Sequence, residues 1–142
     1  MKKSAYNKTT GELTKQIANT FIDSRLSLTT AESCTGGLLA AALCAEADTA
    51  KFYDIGIITF SNSAKQKMLG VQASTLEKYT AVSEQTVIEM SEGARVRAGT
   101  DISIAISGYA GPDGGEDGTP AGTIWFAWNF RGKIVTDRKS VV

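Results

Sequence analysis

No histidine occurs among the 142 residues of this chain. That absence excludes Ser-His-Asp and Cys-His catalysis and every histidine-ligated metal, leaving lysine, carboxylate, tyrosine or water to move protons. Cysteine is scarce as well, with Cys34 and Cys44 ten residues apart. The stretch between them reads as one helix, which would separate them by about 15 Å along its axis. A disulfide spans roughly 7 Å between Cα atoms, so free thiols are expected. Neither sign of charge is in excess, with fifteen basic and fifteen acidic residues. That argues against a broad nucleic-acid surface while leaving room for a local anion site. No apolar run approaches the ~20 residues of a membrane helix, the longest being Leu38 to Ala45. The basic opening Met1 to Lys8 leads into no apolar core of the kind a secretory signal carries. A cytoplasmic protein without membrane contact is expected.

What is present suits one globular domain over residues 1–142: 42% hydrophobic and 21% charged residues, with no repeat and no low-complexity linker. Leu13, Ile17, Phe21 and Ile22 recur at helical spacing within Gly11 to Leu26. A short Thr-rich strand is expected over Ser27 to Glu32, a helix over Thr35 to Ala45, and a strand over Phe52 to Ser61. Asn62 to Leu69 reads as a short helix. Ser83 caps a longer one to Ala98, with Glu84 in its first turn, Val82 placed to staple onto Val87, and Gly99 as its stop. Asp101 to Ser107 alternates as an inner strand, and Thr123 to Phe130 with Lys133 to Thr136 forms a hairpin. Helices interleaved with strands and closed by a hairpin give an α/β sandwich with a mixed sheet.

Three segments carry potential chemistry. Ala31 to Gly37 lies at a strand-to-helix turn, where a hydroxyl is exposed beside amides suited to an anion, and where Ser33 or Thr35 could equally serve as a plain helix cap. Thr59 to Lys65 lies at a second such turn. Lys65 either points into the same crevice as Ser33, where burial would depress its pKa and fit it to take a proton from serine, or is a solvated helix lysine. Ser107 to Gly122 holds six of the fourteen glycines and both prolines, the composition of a functional or mobile loop. The spacing of its Asp113, Glu116 and Asp117 does not fit a calcium loop, so no metal is expected. Glu32 is open to three uses: orienting Lys65, orienting a substrate amide, or pairing with a surface lysine.

The strings TAESCTGG (30–37), TFSNSAK (59–65), LGV (69–71), AVSE (81–84), SGYAGPDGG (107–115) and PAGTIWFAW (120–128) occur together in this order. In this the chain resembles the C-terminal domain of the competence/damage-inducible protein A family, also called the nicotinamide-nucleotide amidohydrolase family. The likeness runs from about residue 12 over nearly the whole chain. It implies a three-layer α/β/α domain that deamidates nicotinamide mononucleotide to the nicotinate form and ammonia, without a cofactor. It also implies Ser33 as nucleophile and Lys65 as base. The pyridine nucleotide would then lie against Glu32, Cys34, Thr35, Gly36, Gly37, Phe60, Asn62, Ser107, Gly108, Ala110, Gly111, Gly114 and Gly115. A Ser-Lys pair agrees with the missing histidine.

Three departures stand out. The family string TYSNEAK has a tyrosine, understood as a third catalytic member, where this chain has Phe60; its ring keeps the packing and loses the hydroxyl. Thr119 stands where the family often has a lysine. The family's terminal helix with its Gly-Asp-Arg string is not found before Val142. The sequence therefore supports two functional expectations, a working amidohydrolase or a paralogue that binds a nucleotide and turns it over poorly. It leaves a homo-oligomer open.

Overall fold

The computed structural model describes residues 8–141; the expectation drawn from the extreme N-terminus falls on residues 1–7, outside the described residues. The elements are α1 (Thr10–Ser24), β1 (Leu28–Glu32), α2 (Leu38–Cys44), a 3-10 turn (Thr49–Lys51), β2 (Tyr53–Ile58), α3 (Asn62–Leu69), α4 (Ala73–Tyr79), α5 (Glu84–Ala98), β3 (Ile102–Gly108), β4 (Thr123–Phe130) and β5 (Lys133–Ser140). The sheet runs β2-β1-β3-β4-β5. β1 is parallel to both β2 and β3, and β3, β4 and β5 follow one another antiparallel. This is the mixed sheet and terminal hairpin that the sequence implied.

Alternation along the strands sends residues to two cores. Leu28 of β1 and Ile102 of β3 pack with Ala18, Leu43, Phe52 and Tyr53 beneath α1 and α2. Ala31, Ala105 and Ala127 face the other way, toward Val87, Met90 and Ala94 of α5. These three alanines sit directly opposite one another across β1, β3 and β4. Their small side chains form a shallow floor on which α5 lies close to the sheet, and helices thus cover both faces. Among the described residues no helix is long and apolar enough to cross a membrane.

α3 is locked against α5 at Gly93, where a Cβ would run into the Leu69 carbonyl group. The obstructing atoms are backbone, so they cannot rotate aside. Gly93→Ala is expected to force α3 and α5 apart and destabilise the fold by about 2 kcal/mol, lowering Tm by about 5–10 °C. A thermal melt followed by circular dichroism checks this, and an unchanged Tm would contradict the close contact.

Several expected elements are adjusted. α2 begins at Leu38 rather than Thr35, because Gly36 (φ 57°) and Gly37 (φ 101°) hold the backbone in the left-handed region. Cys34 therefore lies ahead of that helix, not on it, although both cysteines are free thiols. β2 ends at Ile58, three residues early, and β5 runs on to Ser140, where pairing with β4 orders a charged stretch that has no alternation. The capped helix at Ser83 forms as expected, with the Ser83 hydroxyl accepting from the Thr86 amide and Gly99 closing its end. α4 was not expected. Its Gln72 cap makes no side-chain bond, and Glu89 of α5 supplies the missing acceptor to the Gln72 amide and the Thr75 hydroxyl.

Candidate active site

The site begins where the parallel strands stop, the edge at which α/β sheets gather ligands. Ser33 follows the last residue of β1, and its amide donates to the Ile106 carbonyl of β3 at 3.0 Å. The chain then turns tightly: the Gly36 amide donates to the Ser33 carbonyl and the Leu38 amide to that of Thr35. On the neighbouring strand end, the Thr59 amide donates to the Glu32 carbonyl at 2.9 Å. Ser61 caps α3 by accepting from the Ala64 amide, and this cap fixes the first turn on which Lys65 sits.

Lys65 is almost wholly buried, at 1% exposure. Its Nζ donates to Ser33 Oγ at 2.8 Å, to the Thr59 carbonyl at 2.8 Å and to the Phe60 carbonyl at 3.2 Å. No carboxylate takes part in this set. Burial of the ammonium lowers its pKa from 10.5 to about 8, slightly opposed by Cys34. Three N–H groups of the ammonium match these three oxygens; once deprotonated, the amine keeps two N–H groups for the carbonyls and turns its lone pair to Ser33. Burial pushes the Cys34 thiol up, against the pull of the Cys34 and Thr35 amides and of Lys65. Those two amides face the Cys34 sulfur at the start of the turn that follows Ser33.

A crevice of about 320 Å³ opens over the pair. Of the residues expected at the site, it brings together Ser33, Cys34, Phe60, Lys65, Ser107, Gly108, Ala110 and Gly111. Asn62, Gly114 and Gly115 line an adjoining hollow that shares Ala81 and Tyr109 with it. Thr35, Gly36 and Gly37 form the turn rather than the wall, with Gly37 set against Ile58. The Thr35 hydroxyl is buried without a partner. Glu32 does not reach Lys65: its carboxylate accepts the Leu39 and Ala40 amides at 2.9 and 3.0 Å. Phe60 is 77% exposed, so its ring stands at the mouth while its carbonyl holds the lysine.

Sequence reasoning missed Ala81 and Val82 as wall residues, while Tyr109 and Asp113 fall within the segment from Ser107 to Gly115 that the family resemblance implied at the crevice, without being singled out. The AVSE string was the available signal for the first two. The Ser107 hydroxyl donates to the Ala81 carbonyl at 2.7 Å and so draws that loop over the site. Among the described residues no three carboxylate or cysteine side chains are grouped to hold a metal ion.

Fold and site together define an α/β protein with a buried, histidine-free serine–lysine pair at the carboxyl ends of its parallel strands. The chain belongs to the CinA C-terminal domain family, which matches residues 10–141. It is 57% identical over 124 residues to Protein YdeJ of Escherichia coli, covering 87% of this chain and 72% of that one. It is 48% identical over 113 residues to the nicotinamide-nucleotide amidohydrolase PncC of Enterobacter agglomerans, covering 79% of this chain and 69% of that one. The crystal structure of a competence damage-inducible protein A from Klebsiella pneumoniae superposes with a TM-score of 0.94 at 61% identity, over 95% of this chain and 84% of the other. Family membership and the amidohydrolase relatives support a hydrolase.

Proposed function

We propose that this chain, acting as one unit over residues 1–142, is an amidohydrolase that converts nicotinamide mononucleotide and water to nicotinate mononucleotide and ammonia. The observation that carries the reading is the 2.8 Å contact between Lys65 Nζ and Ser33 Oγ in a buried setting.

Neutral Lys65 accepts the Ser33 proton as Oγ attacks the carboxamide carbon. The carbonyl oxygen becomes an oxyanion, stabilised by the Cys34 and Thr35 amides in the turn. The Lys65 ammonium then returns its proton to the leaving nitrogen; the C–N bond breaks, ammonia departs, and the acyl group stays on Ser33. Water takes the vacated place, gives a proton to Lys65 and attacks the ester carbon. Collapse releases the carboxylate product, and Ser33 recovers its proton from Lys65. The Gly-rich loop from Ser107 to Gly115 borders the ribose phosphate, with Asn62 on the adjoining wall. No cofactor enters any step.

The competing reading, a nucleotide-binding paralogue with poor turnover, is favoured by one observation, the phenyl ring at position 60. Ammonia release from nicotinamide mononucleotide by the native chain and by Ser33→Ala tests the proposal. Turnover abolished in the variant is expected; a native chain that binds the nucleotide and releases no ammonia overturns it. The pH dependence is a further check. Only the neutral lysine accepts a proton, so kcat/KM should rise with pH to a plateau above about 8. At pH 7 it should stand about tenfold below that plateau. A flat profile from pH 6 to 9.5 would remove Lys65 as the base.

A further inference from the structure

We propose that Glu32 is the positioning residue of this site, a buried carboxylate that fixes the oxyanion-binding turn from outside the helix that follows it. The inference rests on the amidohydrolase reading and deepens it.

Glu32 is 1% exposed, and the ion pairs among the described residues do not include it. A carboxylate held so deeply needs strong acceptor geometry, since burying an unpaired charge is costly. It finds this in the Leu39 and Ala40 amides. α2 cannot cap itself, because its N-cap is Gly37, which has no side chain to accept those amides. The two ends of the 33–37 turn are thereby clamped by one residue. The backbone of Glu32 enters the turn at Ser33, and its side chain holds the turn's far end where α2 begins.

The same residue also reaches the base. Its carbonyl accepts the Thr59 amide, and the Thr59 carbonyl accepts Lys65 Nζ. Nucleophile, oxyanion donors and base are thus all referred to one side chain and its own peptide unit. The Leu39 and Ala40 amides are committed to Glu32, the Leu38 amide to the Thr35 carbonyl and the Gly36 amide to the Ser33 carbonyl, while the oxyanion role in the proposed mechanism falls to the Cys34 and Thr35 amides at the start of the turn.

The test compares the native chain with Glu32→Gln and Glu32→Asp, each confirmed as folded by circular dichroism. Glutamine keeps the shape but sets an NH₂ group against a helix amide and removes the charge. Aspartate keeps the charge on an arm too short to span both amides. Each variant should lose about 10²-fold in kcat per folded molecule, with KM changed less than about threefold. The pH midpoint should stay near 8, because Glu32 acts on the turn and not on the charge of Lys65. A purely structural role would lower Tm and leave kcat per folded molecule unchanged, and that result overturns the proposal. So does a midpoint that falls in Glu32→Gln while plateau kcat is kept, since Glu32 would then act through the lysine's charge. Should Glu32→Gln not fold, Glu32→Asp alone decides by the same criteria.

Labelling of Ser33 by a fluorophosphonate separates this inference from the proposed substrate. If the native chain is labelled but releases no ammonia from the nucleotide, the substrate is wrong, and about 10²-fold slower labelling of the variants still supports Glu32. Equal labelling rates sink the Glu32 role alone. A native chain neither labelled nor active sinks both.

Discussion

Replacing Lys65 with methionine is expected to lower kcat for ammonia release by about 10⁴-fold, the upper end of what a positioned acid-base group supplies. Methionine has a similar unbranched shape and carries no proton, so the change removes the base with little change in volume. The loss should be this large because the chain has no histidine to substitute and no carboxylate touches the Ser33–Lys65 pair. A second readout separates the chemical role from damage to the fold. Lys65 titrates near 8 in the folded protein and at 10.5 when exposed. Between those values the unfolded chain binds a proton that the folded chain does not, so native stability rises as pH rises. The increase is at most about 3 kcal/mol and should be missing from Lys65→Met. Urea unfolding at pH 7 and pH 10 reads the difference, and equal pH dependence in the two proteins would show that burial does not lower the pKa of this lysine.

Phe60→Tyr is expected to raise kcat by at least about 10²-fold, since the acid-base group absent here is commonly worth ~10²–10⁴ in rate. The ring is already 77% exposed at the mouth of the crevice, so the hydroxyl is added to a wetted surface and carries no burial cost. The contact between the Phe60 carbonyl and Lys65 Nζ belongs to the backbone and survives the change. Steady-state ammonia release from native and Phe60→Tyr protein gives the answer. A rise confirms that the phenyl ring is what slows this chain. Equal rates in two active proteins would mean that Ser33 and Lys65 suffice, and that the ring serves only to border the substrate.

Much of this architecture is legible in the sequence because its signals are local. Ser83 and Gly99 bound α5, alternating isoleucines mark β3, and a turn between two aromatic-rich and polar runs marks the hairpin. The candidate site was legible chiefly through the family resemblance of TAESCTGG and TFSNSAK, which implied Ser33 and Lys65. The residues alone left a helix cap and a solvated lysine open, and the structure brings the two side chains within 2.8 Å at one edge of the sheet.

The rest was not local. α4 has a weak sequence and no cap of its own, and it exists because Glu89 reaches it from α5. Glu32 has three plausible uses in the sequence and a single set of partners in the fold, both of them amides of α2. Ala81 and Val82 come to the crevice from a loop that Ser107 draws in. The sequence by itself determined that no histidine takes part in the chemistry and where most helices and strands form, since caps, glycines and periodicity act within a few residues. Only the tertiary structure decided which buried carboxylate serves which helix and which loops close the crevice. Those choices depend on hydrogen bonds that join different elements: Glu32 of β1 to α2, Glu89 of α5 to α4, and Ser107 of β3 to the loop at Ala81.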